Sequence, residues 1–268
     1  MRAMLTPKIW AIFRPLVERA KRSAAGAKPK LTDLMFLEAL LFLIRTGLPW
    51  RDLPSRFGDW NAVYQRFKRW RENNVFQRLF EDMPKDTPLE NIKRIFIDSS
   101  VVRAHQHAAG AAKTGDDDDQ DLGRSRGGLS TKIHVACLDE NTLIAVEVTP
   151  GQAGDAPEFD NLFDESIIQV PDIEEVVADK AYDSDSIRSK VIEEGDIPVH
   201  IPNKSNAKEE WPIDKEAYKS RNKIERFFNK LKQFRRIATR YDKLSDCFLS
   251  FIHLAATFIK CRSFVNRT

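Results

Sequence analysis

Two acidic residues stand where an open α/β sheet places its reactive groups. Asp98 closes the apolar run Ile95-Phe96-Ile97, and Asp179 closes Val176-Val177-Ala178. Each is therefore expected to project from the carboxyl end of a central strand, where such sheets build their sites. Two such carboxylates can share a cation, although either one alone is more often a turn former. A third acid appears at Glu225, in phase with Tyr218, Arg221 and Lys232 at intervals of 3, 4 and 7. At 100° per residue, a helix running from Glu216 through Lys232 would place all four on one stripe. Ile224, Phe227, Phe228, Leu231 and Phe234 would form the adjacent apolar face for docking on the sheet. An exposed Arg221–Glu225 pair accounts for neither Tyr218 nor Lys232 at matched phase. Three hard carboxylates beside phosphate-binding side chains suggest metal-assisted chemistry on a phosphate ester.

The elements that must position these groups follow from periodicity. A helix is expected in the amino-terminal 22 residues. A second spans 31–43 and is stopped by Gly47 and Pro49. A third starts after Asp59, a Ser/Thr/Asp-type N-cap, and runs to Trp70. In that helix Val63, Phe67 and Trp70 share one face. Arg66, Lys68 and Arg69 fall elsewhere, available to a polyanion, so helix, Gly/Pro turn and basic helix read as a helix-turn-helix type unit. A plain bundle with a basic solvent face gives the same pattern. Residues 83–93 read as a linker, and the texture then changes to strands at 94–98, 132–138 and 143–148, the last two forming a hairpin around Asp139-Glu140-Asn141. Helices at 156–168 and 185–194 alternate with strands at 175–179 and 197–201, which implies a mixed sheet with covering helices. Residues 108–128, including Asp116 to Asp119, read as a mobile, solvated loop. The expected domains are 1–82 (helical), 83–93 (linker) and 94–268 (α/β, with basic C-terminal helices).

The 268 residues carry 43 Lys plus Arg against 40 Asp plus Glu, a net charge of only +3. By segment the charge is +9 over residues 1–95, −16 over 96–218 and +10 over 219–268. Basic ends around an acidic centre suit a metal-dependent enzyme acting on nucleic acid, and also a solvated charge mosaic. The length excludes a mini-scaffold, and no apolar run is expected to reach the ~20 residues of a bilayer span. Cys137, Cys247 and Cys261 lack CxxC spacing and read as buried thiols of a reducing cytosol.

The full pattern Tyr-x2-Arg-x3-Glu-x6-Lys, at Tyr218, Arg221, Glu225 and Lys232, resembles the signature of bacterial DDE transposases of the IS4 and IS5 type. The stretches TGLPWRDLPSRFGDWNAVYQRFKRW, IDSSVVRAHQHAAGA, GRSRGGLSTKIHV, VTPGQAGDAPEFDNL and VADKAYDS resemble blocks of IS5-family transposases, so the likeness covers nearly the whole chain. Asp116 to Asp119 depart from it, being more acidic than the usual Lys/Gly-rich segment. The resemblance implies an RNase H-like α/β core preceded by an all-α helix-turn-helix-type domain, with Asp98, Asp179 and Glu225 as catalytic residues and metal ligands. It implies two Mg²⁺ ions, with Mn²⁺ as a substitute, and DNA contacts from Tyr218, Arg221 and Lys232. The implied partners are double-stranded DNA, as terminal inverted repeats and target, with no membrane; coordinated cutting of two ends is compatible with a homodimer in the bacterial cytoplasm, at the nucleoid. His105 and His107 could position DNA, stabilise the fold or, lacking a third ligand nearby, less readily bind zinc. Ser99 and Ser100 lack a local base and are expected to shape the strand end; Trp50 and Trp60 read as core aromatics. A catalytically idle DNA-binding relative, or a nuclease of the same fold without strand transfer, are the competing readings.

Overall fold

The computed structural model describes residues 3–22, 31–83, 93–110, 120–205 and 211–266. The expected linker at 83–93 and the Asp116–Asp119 run lie almost wholly outside these. The chain forms two compact units: Met1–Pro84 with Ala104–Gln120 and Leu231–Thr268, and Lys85–Arg103 with Asp121–Lys230. This departs from an α/β domain running to residue 268. The C-terminal helices pack with the amino-terminal ones, because the apolar surface of residues 248–261 is buried in that helical unit.

In the helical unit, α1 (Pro7–Ala20), α2 (Asp33–Thr46), α3 (Trp60–Glu72), α4 (Val75–Glu81), α5 (Arg235–Ala238) and α6 (Ser245–Asn266) surround an aromatic core. Thr32 and Asp59 cap α2 and α3 by accepting the amides of Met35 and Ala62 at 3.2 and 3.0 Å. Gly47 ends α2 at φ +76°, a left-handed conformation that favours glycine. Phe67 stacks on Phe251 of α6 at 4.8 Å, with Trp50 beside both at 5.2 and 6.1 Å. Helix α6 is by length and composition apolar enough to cross a bilayer, contrary to expectation, yet 78% of its apolar window is buried, as in a core helix. The Gly47–Asp59 connection holds two 3-10 turns and is longer than the three- or four-residue turn of a helix-turn-helix.

The second unit is built on β1 (Arg94–Ala104), β2 (Gly123–Ser125), β3 (Gly128–Asp139), β4 (Thr142–Pro150), β5 (Glu175–Ala178) and β6 (Val199–His200). Strand β3 pairs antiparallel with β1, β4 and β2, whereas β5 runs parallel to both β1 and β6. The mixed sheet and the β3–β4 hairpin are as expected. The loop expected at 108–128 is corrected at its end, since residues 123–125 pair back onto β3, which itself begins at Gly128. Helices α7 (Phe159–Gln169) and α8 (Asp185–Gly195) supply apolar side chains to one sheet face, with Ile95, Ile97, Val176 and Ala178 from the strands.

Arg66 does not offer its charge outward. It is 8% exposed, donates to the Leu31 carbonyl at 2.6 Å and to Asp33, and lies 4.5 and 5.1 Å from the rings of Phe36 and Trp70. Its phase on α3 sits between the apolar residues, so it is drawn inward to a partner 33 residues away. Lys68 and Arg69 remain exposed. Burial raises the Asp33 carboxyl, but Lys21 and Arg66 outweigh it and hold the pKa below 3.8. Asp33→Asn should therefore cost about 2–3 kcal/mol at neutral pH, less than a fully buried pair because Asp33 is partly solvated. Urea unfolding should show the difference shrinking as pH falls through the depressed folded pKa, where wild-type Asp33 also loses its charge.

Candidate active site

The parallel pairing of β1 with β5 ends at Ile97 beside Ala178, so the next residues, Asp98 and Asp179, lie side by side; Asp179 follows the end of β5, whereas Asp98 sits within β1, which continues to Ala104 and corrects the strand expected to stop at 98. Alternation sends Ile97 and Ala178 into the packed face and Asp98 to the other. Over that face runs α10 (Asn222–Leu231), preceded by α9 (Lys215–Lys219). Arg94 of β1 donates to Ser220 Oγ at 3.0 Å, Lys223 Nζ lies 5.6 Å from the Phe96 ring, and Lys230 donates to Asn141 at 2.8 Å.

Arg221 joins the three acids. Its Nη2 donates to Asp98 Oδ2 at 2.6 Å and to Asp179 Oδ2 at 3.1 Å, and its Nη1 to Glu225 Oε1 at 3.0 Å. Burial pushes the Asp98 carboxyl up to about 6; Arg221 and the Ser99 amide oppose this, and Asp179 and Asp155 add to it. Asp179 also accepts the Ala181 amide at 3.4 Å, opening a short 3-10 turn, so its turn-forming role coexists with its place in the cluster. The donor set is chemically suited to a hard divalent cation, as three carboxylates from three elements face one positive group. Among the described residues no three His, Cys, Asp or Glu side chains form a closed metal-binding group. The guanidinium lies between these acids, and a metal ion would have to take its place.

The single continuous stripe expected from Glu216 to Lys232 is corrected. The helix breaks at Ser220–Arg221, where Arg221 N bonds Tyr218 O, Lys223 N bonds Ser220 O and Ile224 N bonds Arg221 O, all three residues apart. Three-residue winding eclipses positions i and i+3, so Tyr218 still aligns with Arg221, and the four-residue step into α10 reaches Glu225. Burial raises the Tyr218 phenol, as does the field of Asp179, Asp98 and Glu225, which places it near the acids. Lys232 follows the last residue of α10, half-buried, with its ammonium pKa lowered by burial.

The acids extend to a residue that spacing alone did not single out. Asp155 accepts Ser99 Oγ at 2.6 Å and Lys132 Nζ at 3.0 Å, and Lys132 also donates to the Ala153 carbonyl. Ser99 is thus committed to a hydrogen bond. The signal for Asp155 was its block, VTPGQAGDAPEFDNL, already among the resembling stretches. His134, paired with Ser99 across β3, bonds Thr149 Oγ1 at 2.7 Å and has Nδ1 3.9 Å from Asp155. His105 and His107 belong to the helical unit, where their rings meet at 4.4 Å and His105 lies 5.1 Å from Tyr241.

Residues 90–258 match the family model described as transposase DDE domain, and residues 5–80 match the one described as putative transposase of IS4/5 family. The chain belongs to the DDE transposases of IS4/5 type. Its core is accordingly the RNase H-like mixed sheet of an α/β transposase domain, behind a helical amino-terminal region. A similar protein is the putative transposase for insertion sequence element IS6501 of Brucella ovis, 34% identical over 50% of this chain and all of that protein. Another is the uncharacterized protein y4sN of Sinorhizobium fredii, 40% identical over 39% of this chain and 79% of that one. A pre-cleavage Mos1 transpososome structure superimposes with a TM-score of 0.28 and 13% identity, covering 92% of this chain and 84% of that one. At that score it fixes no residue correspondence.

Behind the acids of this transposase, burial first and Lys132 second push the His134 imidazole down to about 4, against the attraction of Asp155. Between pH 6.5 and about 4 the unfolded chain binds a proton that the folded one refuses, so stability must fall as pH is lowered through that window. His134→Gln should flatten this slope in pH-dependent unfolding. An unchanged slope would mean that His134 is not held neutral.

Proposed function

We propose that this transposase binds the terminal inverted repeats of an insertion sequence, cuts the DNA there and joins the freed ends to target DNA. Asp98, Asp179 and Glu225 are its catalytic carboxylates and metal ligands. The observation that supports this reading is the convergence of these acids, from within β1, from the end of β5 and from one helix, on the guanidinium of Arg221.

Two divalent ions, Mg²⁺ with Mn²⁺ as a substitute, would supply Lewis acidity at phosphorus and a lowered pKa for the attacking water or 3'-OH. The chain supplies the rest. Asp98 is the least exposed acid of the set and Glu225 the most, so the acids line a path from the sheet to solvent. A metal held by Asp98, Asp179 and Glu225 would take the place of the Arg221 guanidinium, whose planar fork would suit a phosphate of the bound strand. Tyr218 beside it donates a hydroxyl, and Lys232 adds a point charge. With Ser99 engaged by Asp155, the attacking oxygen comes from water or DNA and not from a side chain. Lys68 and Arg69, exposed on α3, suit backbone phosphates, while buried Arg66 does not. The proposed setting is the bacterial cytoplasm, at the nucleoid, with a homodimer bringing two ends together.

Labelled terminal repeats incubated with target plasmid and Mg²⁺ should be cut at the repeat tips and joined. Glu225→Ala should bind the repeats as wild type does and cut at least about 100-fold more slowly, the scale expected for losing one stabiliser of developing charge. Chelation of the metal should abolish both steps. Cutting by Glu225→Ala at the wild-type rate would overturn the carboxylate assignment.

A further inference from the structure

The helical unit contains a second collection of charge, distant in sequence from the acids. Residues at the ends of α1 and α3 and on α4 enclose an open concavity of about 410 Å³. Its rim carries Lys21, Arg22, Arg69 and Arg78, with the Asn73 amide among them. Its apolar part is Trp70 and Val75, both largely buried.

These cations are poorly matched by acids. Lys21 is shared with Asp33, at 2.7 Å. Arg78 donates its Nε to the Ala20 carbonyl at 2.8 Å, a neutral acceptor that does not cancel its charge. Among the described residues no carboxylate pairs with Arg22, Arg69 or Arg78. Arg22 is also held at φ +58°, a left-handed conformation rare outside glycine, Asn and Asp. Elsewhere in the same unit, arginines are neutralised: Arg66 by Asp33, and Arg236 by Asp242 at 2.7 Å. Three unpaired guanidiniums around one hollow repel one another, and an anion seated there relieves that repulsion.

We infer that this concavity seats the sugar–phosphate backbone of DNA. The guanidinium forks match phosphate oxygens, and the apolar patch of Trp70 and Val75 matches the deoxyribose between successive phosphates. Cations spread around a hollow of this size suit a stretch of strand better than one small oxyanion. The seat shares Arg69 with the outward face of α3 and extends beyond it to Lys21, Arg22, Asn73 and Arg78. It lies at that helix's carboxyl end, uses residues on three helices and reads no bases, so it contributes affinity and register without sequence preference. This inference rests on the proposed DNA substrate and locates where the helical unit would grip it.

The test uses the full chain, a labelled duplex carrying an element end, an unrelated duplex of equal length, and a salt series. Arg69→Gln with Arg78→Gln should weaken both duplexes alike, by at least about 10-fold at low salt, and flatten the salt slope by about two units. A charge-matched control, Lys8→Gln with Arg14→Gln on the exposed face of α1, should leave binding near wild type. Should the double variant unfold, exposed Arg22→Gln alone must flatten the slope by about one unit. Wild-type affinity and slope in the pocket variants would overturn the seat while leaving the transposase reading intact; a wild type that binds neither duplex would overturn both. Thermal protection by inorganic phosphate equal to that by duplex would also overturn it, marking the hollow as a site for small anions.

Discussion

The candidate site depends on one constraint, the parallel register of β1 with β5. Because Ile97 lies opposite Ala178, the acids that follow them are brought side by side where the β1–β5 pairing ends. Two carboxylates so placed repel, and burial raises the cost of ionising Asp98. The arrangement persists only with positive charge brought to it. Arg221 provides that charge, and the anchoring of the chain before α10 by Arg94 to Ser220 holds Arg221 beside the two acids. Glu225 joins one helical turn later. Sheet register, helix docking and the electrostatic balance of the acids are therefore one requirement met by three elements.

The same balance explains why the site has depth. Asp98 takes the Ser99 amide, Ser99 reaches Asp155, and Asp155 takes Lys132, so each negative group nearest the core has a donor behind it. His134 completes that wall in neutral form, which avoids adding an uncompensated buried cation. Rigid support behind Asp98, with exposed Glu225 in front, gives one fixed wall and one adaptable one. The proposed exchange of the guanidinium for a metal ion would draw on that combination.

Much of this was legible in the sequence. The apolar runs ending in Asp98 and Asp179 located both strands and the two acids, but only β5 stops there; β1 continues to Ala104 through more exposed residues that pair with β3, which an apolar run cannot show. Helix boundaries at Gly47 and Asp59 were equally plain from capping chemistry. What escaped has a common cause, dependence on partners distant in sequence or on winding finer than residue type. The Ser220–Arg221 break arises from three-residue hydrogen bonds that helical phase cannot reveal. The inward turn of Arg66 requires Asp33, and the role of Asp155 requires Ser99. The pairing of residues 123–125 onto β3 was hidden by glycines typical of loops. The packing of α6 with the amino-terminal helices is a property of contacts, which no local pattern encodes.

The segmental charges gain a different meaning from these partners. The +10 of the carboxyl-terminal segment is not a free basic surface. Arg221 answers the central acids, Lys230 reaches Glu140 at 3.8 Å and Arg236 is closed by Asp242. In the +9 of the amino-terminal segment, Arg66 is likewise consumed internally, whereas Arg22, Arg69 and Arg78 have no acid among the described residues. Summed charge therefore overstates the carboxyl-terminal segment as a surface for a polyanion and does not locate the one in the amino-terminal segment. The electrostatic free energy available to an incoming phosphate depends on cations whose field is not already cancelled nearby, and those concentrate where α1, α3 and α4 meet.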